Sequence, residues 1–361
     1  MKPYTCSNCG NLVHFENESC VRCGMRLGYR HWRDDMVAVD AGGRVVSRQA
    51  ASSPDAFFCD NAQAGVCNWL VADQSEGRLC RACRHNLMIP DLAIQGNPER
   101  WARIERAKRH VFYSLLRWGL PLPTPADPGE RHLSFSFVAD VQTATGAVEP
   151  AMTGHDAGHI TINIVEADDA ERERIRQQMA EPYRTLVGHF RHELGHFYWD
   201  VLVSDGGQLE EFRRLFGDER GDYAMALQTY YGNGAPPDWQ SCYVSAYASA
   251  HPSEDFAETW AHYVHMTDGL ETALSFGLRI DADGMREGDA VLDPYRAPRA
   301  EDLVRHWVPV TIALNSINRS MGQPDVYPFV LSAAVVEKLE FVHRLVQHAA
   351  RADRPADALV S

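Results

Sequence analysis

The sequence predicts an α+β protein, with two small cysteine-held modules followed by a mainly helical domain that carries a small sheet. Three observations support this. Eight of the nine cysteines fall in two quartets near the start of the chain. Stretches 133–139 and 158–165 alternate with the period of two that marks strands. Most of the remaining chain shows helical spacing, in segments 99–118, 168–180, 186–203, 207–231 and two more after Asp302. With 361 residues, 45% of them apolar, the chain can bury a sizeable core and has room for two or three domains.

The first quartet is Cys6-Ser-Asn-Cys9-Gly and Cys20-Val-Arg-Cys23-Gly. Each C-x-x-C-G reads as a tight knuckle, and two knuckles supply four thiolates to one tetrahedral ion. So short a segment has no core of its own, so zinc supplies its folding energy; iron is the alternative thiolate metal. Residues 1–29 thus read as a zinc ribbon. A connector with a short strand follows, and Cys59, Cys67, Cys80 and Cys83 form a second structural zinc site within 30–95. Cys242, alone, reads as a core or near-core residue.

Helix 99–118 carries many Lys and Arg, read as a solvated face. Prolines 121, 123, 125 and 128 then break the chain before the two strands. Pro182 reads as the first turn of the next helix. The main domain runs over 96–350, and 351–361 reads as a flexible tail.

That next helix holds His192-Glu193-Leu194-Gly195-His196. At about 3.6 residues per turn, positions four apart share a face, so both imidazoles reach one metal. Glu193 lies roughly 100° further round, able to touch a water on that metal without ligating it. Two imidazoles and a carboxylate base are the parts of a zinc hydrolase. A catalytic zinc needs a third protein ligand. Trp199 and Leu202 stand where the metzincin extension needs Gly and His, so that class is excluded and a Glu on a later helix is the main candidate.

Segment 243–265 offers one. Ser253 after Pro252 reads as an N-cap with acids in the first turn. With Glu254 at zero, Glu258, His265, His262 and Asp255 lie within roughly 0–100°, and Phe256, Trp260, Tyr263 and Val264 within roughly 180–280°. One stripe packs, and the other reads as a metal face.

These residues resemble the gluzincin clan of zinc peptidases, in particular anthrax lethal factor and the Pro-Pro endopeptidases. Those enzymes carry an E-x-x-A-E helix and a Tyr seven residues before its first Glu, the offset of Tyr247 from Glu254. Gly-His-Phe-Arg-His-Glu-Leu-Gly-His, Phe-Gly-Asp-Glu-Arg and Glu-Asp-Phe-Ala-Glu-Thr-Trp-Ala-His-Tyr also resemble a bacterial family of zinc-binding metallopeptidases with an N-terminal zinc ribbon. The resemblance implies a zincin-like domain with His192, His196 and Glu254 as zinc ligands. It also implies Glu193 as general base, Tyr247 as oxyanion donor and Glu258 as acceptor for a ligand imidazole. Weaker candidates are His189 and Asp200 beside the ligands, and Asp255 as an alternative ligand. Asp218, Glu219 and Asp222 could support the ligands, and His155 and His159 could touch substrate.

The expected activity is peptide-bond hydrolysis with one catalytic and two structural zinc ions. An extended peptide or protein substrate would pair with strand 158–165. The alternatives are a non-catalytic scaffold acting through its ribbons, and hydrolysis of a non-peptide amide. No stretch approaches the ~18 apolar residues of a membrane span and the N-terminus lacks a signal-peptide core, so the expected compartment is cytoplasmic. Residues 1–110 carry 15 Lys+Arg against 12 Asp+Glu, and the rest 20 against 37. The acidic body argues against nucleic acid as the main partner, while the near-neutral N-terminal part leaves that question open and the ribbons leave room for a protein partner.

Overall fold

The computed structural model describes residues 1–48, 56–72, 77–142, 148, 149, 151, 153–179, 185–278, 280 and 293–352. Its N-terminal third is built on the cysteines. Gly10 and Gly24 take φ of +72° and +71° directly after each knuckle, which closes Cys6 and Cys20 into turns that a side chain would strain. Short hairpin β1–β2 (Tyr4–Thr5, Leu12–Val13) holds the first knuckle. Strands β3 (Arg26–Arg30), β4 (Asp35–Val39) and β5 (Val45–Val46) form an antiparallel sheet. A further pair has β6 (Phe57–Phe58) running into Cys59 and β7 (Leu70–Val71) following Cys67 of the second quartet. A bridge between Tyr29 and Trp69 ties the two parts together.

This region docks onto helix α1 (Asn97–Trp118). Phe15, Tyr29 and Tyr113 meet with ring centroids 4.8–6.2 Å apart. The solvated basic face expected for α1 is corrected here, because Lys108 and Arg109 are buried. Lys108 Nζ lies 2.8 Å from buried Glu105, and Arg109 donates to the carbonyl of Val66. Arg103 and Arg106 do face water as expected, but Lys108 and Arg109 lie on the packed side of the helix and pair inward.

Directly after Cys83, β8 (Asn86–Met88) joins the sheet of the larger domain. That sheet runs β12-β13-β9-β8, with β9 Ser134–Val138, β12 Gly154–Asp156 and β13 His159–Asn163. A separate pair, β10 (Val141–Gln142) and β11 (Val148–Glu149), lies between β9 and β12 in the chain. Strand β13 is parallel to β9 on one side and antiparallel to β12 on the other. The expected substrate pairing along 158–165 is therefore corrected: both edges of β13 are taken, and the edge strand on that side is β12.

Helices complete the domain: α2 Asp169–Met179, α3 Leu186–Tyr198, α4 Leu209–Phe216, α5 Tyr223–Asn233, α6 Pro252–Ser275, α7 Ala300–Ser320 and α8 Ala333–Ala352. Pro182 lies outside the described residues; α3 is capped by Thr185, whose hydroxyl accepts from Gly188 N. Phe190 seats α3 on the sheet, 5.7 Å from Phe135 and 6.4 Å from Phe137. Helix α6 is buried on nearly every side. Its cap is His251, not Ser253: the ring accepts from Ser253 N, and Pro252 occupies the first turn, where its missing N–H costs nothing. Cys242 is exposed, contrary to its expected core position, on the turn-rich approach to α6. Arg351 belongs to α8, and residues 353–361 of the expected tail lie outside the described residues. No helix among the described residues is long and apolar enough to cross a membrane.

Candidate metal centre

Helices α3 and α6 cross where Gly195 meets Ala257. A Cβ on Gly195 would stand 2.8 Å from Ala257 Cα and 3.1 Å from its carbonyl oxygen. Contact this close is open only to glycine. His192 and His196 lie on α3 beside the crossing, and Glu254 and Glu258 lie on α6 to either side of Ala257.

His192 Nε2 and His196 Nε2 are 3.2 Å apart. Glu254 places Oε2 3.0 Å from His192 Nε2 and Oε1 3.6 Å from His196 Nε2. Zinc bonds of about 2.0–2.1 Å in tetrahedral geometry put ligand atoms roughly 3.3–3.4 Å apart, so the triad has the spacing of a zinc site. Glu254 Oε2 is buried and has no partner besides the His192 ring nitrogen that would itself turn to a metal, so the oxygen is free to ligate a cation. The cysteines pass the same test. Sγ separations of 3.7 Å (Cys6–Cys23), 3.5 Å (Cys9–Cys20) and 3.8 Å (Cys67–Cys80) come close to the roughly 3.8 Å of a tetrathiolate zinc. In the second quartet, backbone amides of Trp69, Cys80 and Cys83 point at sulfurs.

Around the triad, Glu258 Oε1 lies 2.7 Å from His192 Nδ1, and its Oε2 accepts from Ser245 Oγ at 2.7 Å. A carboxylate on that nitrogen fixes the ring so that Nε2 faces Glu254. Burial raises the Glu254 carboxyl, but His196, His192 and the Tyr223 hydroxyl outweigh it and bring its pKa down to about 2. Burial likewise opposes charge on His192, yet Glu254 and Glu258 hold its pKa well above the ordinary value. The site therefore favours a cation between its carboxylates. Glu193 is buried beside His189, and burial is again outweighed, by that ring and those of His192 and His196, leaving its pKa at about 2.

Tyr247 lies in a short turn before α6, with its ring 6.0 Å from that of His192. A second tyrosine was not anticipated. Tyr223, the first residue of α5, donates to Glu254 Oε1 at 2.7 Å and is hydrogen-bonded to Tyr247. Its only advance signal is its place just after Phe216-Gly-Asp-Glu-Arg-Gly-Asp222; no helical spacing ties it to the triad. Tyr230 of the same helix packs 5.7 Å from Tyr247.

Other candidates go elsewhere. The ionisable stripe of α6 splits three ways instead of forming one metal face. Asp255 pairs with buried Lys338 at 2.5 Å. His262 meets the Tyr327 hydroxyl at 2.9 Å, and His265 lies against Tyr327, Trp307 and Arg191. Of the stripe, Glu254 and Glu258 meet the histidines of α3, whereas Lys338 of α8, Trp307 of α7 and Tyr327 engage the other groups, and His265 reaches α3 only at Arg191. Asp218 pairs with Arg220, Glu219 with Arg213, and Asp222 caps α5. Asp200, in the π-helical turn after α3, pairs with Arg131 at 3.3 Å. His155 stacks on His196 with centroids 5.9 Å apart, while His159 bonds Ser134. His189 approaches Glu193 instead of a ligand histidine.

Fold and site together define a zinc-binding α+β protein with thiolate sites ahead of a helix-borne histidine–glutamate centre. The chain belongs to the family described as "Putative zinc-binding metallo-peptidase", which matches residues 97–345. A zinc-ribbon domain matches residues 3–94. Similar proteins, named as uncharacterized, occur in Mycobacterium bovis and Mycobacterium tuberculosis. Each is 38% identical over 359 residues, covering 99% of this chain and 98% of the relative. No solved structure matches the chain.

Proposed function

We propose that the chain is a zinc-dependent peptidase of the gluzincin type, acting in the cytoplasm on a peptide or protein. Zinc is held by His192, His196 and Glu254, with two structural ions in the cysteine quartets. The observation that carries this reading is the convergence of two imidazole nitrogens and an otherwise unpartnered buried carboxylate oxygen at zinc-ligand spacing, beside Glu193. When bound, zinc lowers the pKa of a water and polarises the scissile carbonyl.

The residues supply the rest. Glu193 accepts the proton of the attacking water and passes it to the leaving amine. Tyr247 donates a hydrogen bond to the oxyanion of the tetrahedral carbon. Glu258 fixes the His192 ring, and Tyr223 steadies Glu254. The substrate backbone pairs along β12, next to α3, where His155 already lies against His196. The cysteine modules are surfaces for a protein contact.

Zinc stoichiometry and turnover test this together. Wild type is expected to hold three zinc ions and His196→Ala two, with both quartets loaded. Glu193→Gln is expected to keep all three and lose hydrolysis of a peptide library. An unchanged zinc count in His196→Ala, or undiminished cleavage by Glu193→Gln, defeats the reading.

A further inference from the structure

We infer that His189 is a positioning residue for Glu193, itself fixed from behind by Glu166. The base is thus carried by a carboxylate–imidazole–carboxylate row. This rests on the reading of Glu193 as the base.

The His189 ring lies between two acids. Nδ1 is 2.6 Å from Glu166 Oε2, and Nε2 is 3.1 Å from Glu193 Oε1. Ionised carboxylates only accept, so both ring nitrogens donate and the ring is an imidazolium. Burial works against that charge, and the two carboxylates overcome it, holding the ring pKa up at about 9.

The row is anchored at its far end. Glu166 is buried in the turn Ile164–Ala167 that leaves β13, and Asn163 caps that turn by accepting from Val165 N at 3.0 Å. Glu166 Oε1 takes the Thr153 hydroxyl at 2.5 Å, and its carbonyl takes Arg172 Nη1 at 2.9 Å. The sheet therefore sets Glu166, Glu166 sets His189, and His189 sets Glu193 one helical turn further on. With Oε1 committed to His189, Oε2 is the oxygen that takes the proton of the attacking water. An ion pair serving only to hold α3 on the sheet has no need to end on the one carboxylate placed to act as base.

The test uses full-length, zinc-loaded protein. His189→Ala is expected to lower kcat on a quenched peptide by about 10- to 100-fold, at unchanged KM and zinc content. His189→Gln, which keeps an amide donor toward Glu193, should recover part of that loss. Glu166→Gln, two contacts from the base, should reduce kcat less. If His189→Ala does not fold, the Gln variants decide, and wild-type kcat in both overturns the inference.

A second readout needs no turnover. Proton–nitrogen NMR of the substrate-free protein should show both ring nitrogens of His189 protonated, with the Nε2–H signal moving in Glu193→Gln. A singly protonated ring, or a signal indifferent to Glu193→Gln, overturns the inference even if the protein is an active peptidase. If wild type cleaves no peptide, the proposed function falls, and the NMR result still decides whether His189 holds Glu193.

Discussion

Neighbouring carboxylates on α6 have opposite fates. Glu254 turns toward two imidazoles, whereas Asp255, about 100° round the helix, turns toward Lys338. Burial raises the Asp255 carboxyl and Lys338 pulls it back, leaving its pKa at about 7. Removing one partner of such a pair leaves an uncompensated interior charge, at a cost of about 3–5 kcal/mol. Lys338→Met should therefore lower the urea midpoint strongly at pH 8. A carboxyl whose folded pKa is raised contributes stability at low pH that is lost as pH rises through that pKa, so the deficit should shrink toward pH 5. A deficit that grows on acidification would show that Asp255 is not the group left unpaired.

At the scale of elements, the candidate centre depends on how closely α3 and α6 approach. Replacing Gly195 with Ala improves helix propensity by about 1 kcal/mol, which alone would stabilise α3. The added Cβ, however, meets Ala257 backbone at 2.8 Å, and backbone cannot rotate aside. Overpacking typically costs about 1–3 kcal/mol, so the clash outweighs the propensity gain. Gly195→Ala should thus lower the melting temperature and, by parting the helices, weaken zinc binding at His192, His196 and Glu254. Thermal unfolding with competitive zinc titration checks both; a melting temperature above wild type with intact affinity would mean that the helices have slack. Helix α5 contrasts with this crossing. It has no buried residue and reaches the site through Tyr223 and Tyr230.

Across the whole molecule, the cysteine modules and the larger domain share structure. Strand β8 follows Cys83 directly and completes the domain's sheet; from α1, Arg109 reaches the second module at Val66, while Lys108 is buried against that sheet beside Asn86, Phe135 and Phe137. His31, His85 and His262 lie in different parts of this shared interior, and burial lowers each pKa to about 4 from an ordinary value of 6.5. The unfolded chain takes up protons at these groups near pH 6.5 and the folded one resists until about pH 4. Their contribution is therefore whole above pH 6.5 and declines as pH falls toward 4. Unfolding free energy should fall over that window, less steeply in His262→Gln than in wild type. Equal slopes would place the proton uptake elsewhere.

The sequence by itself determined whatever depends on short separations. The C-x-x-C-G turns, the four-residue spacing of His192 and His196, the two strands and the main helices follow from local backbone periodicity and ligand chemistry, which need no distant partner. Helical angles also grouped Glu254 with Glu258. Only the tertiary structure decided which groups on that stripe meet His192 and His196, because Lys338, Trp307 and Tyr327 engage the others. It likewise decided that Lys108 and Arg109 are buried, that Cys242 is exposed, that β12 rather than β13 is the edge, and that Tyr223 and Glu166 reach the site. Each of these depends on what packs against a surface, and the local pattern of residues does not carry that information. The distance from Glu254 to His192 depends on one glycine–alanine contact between segments some sixty residues apart.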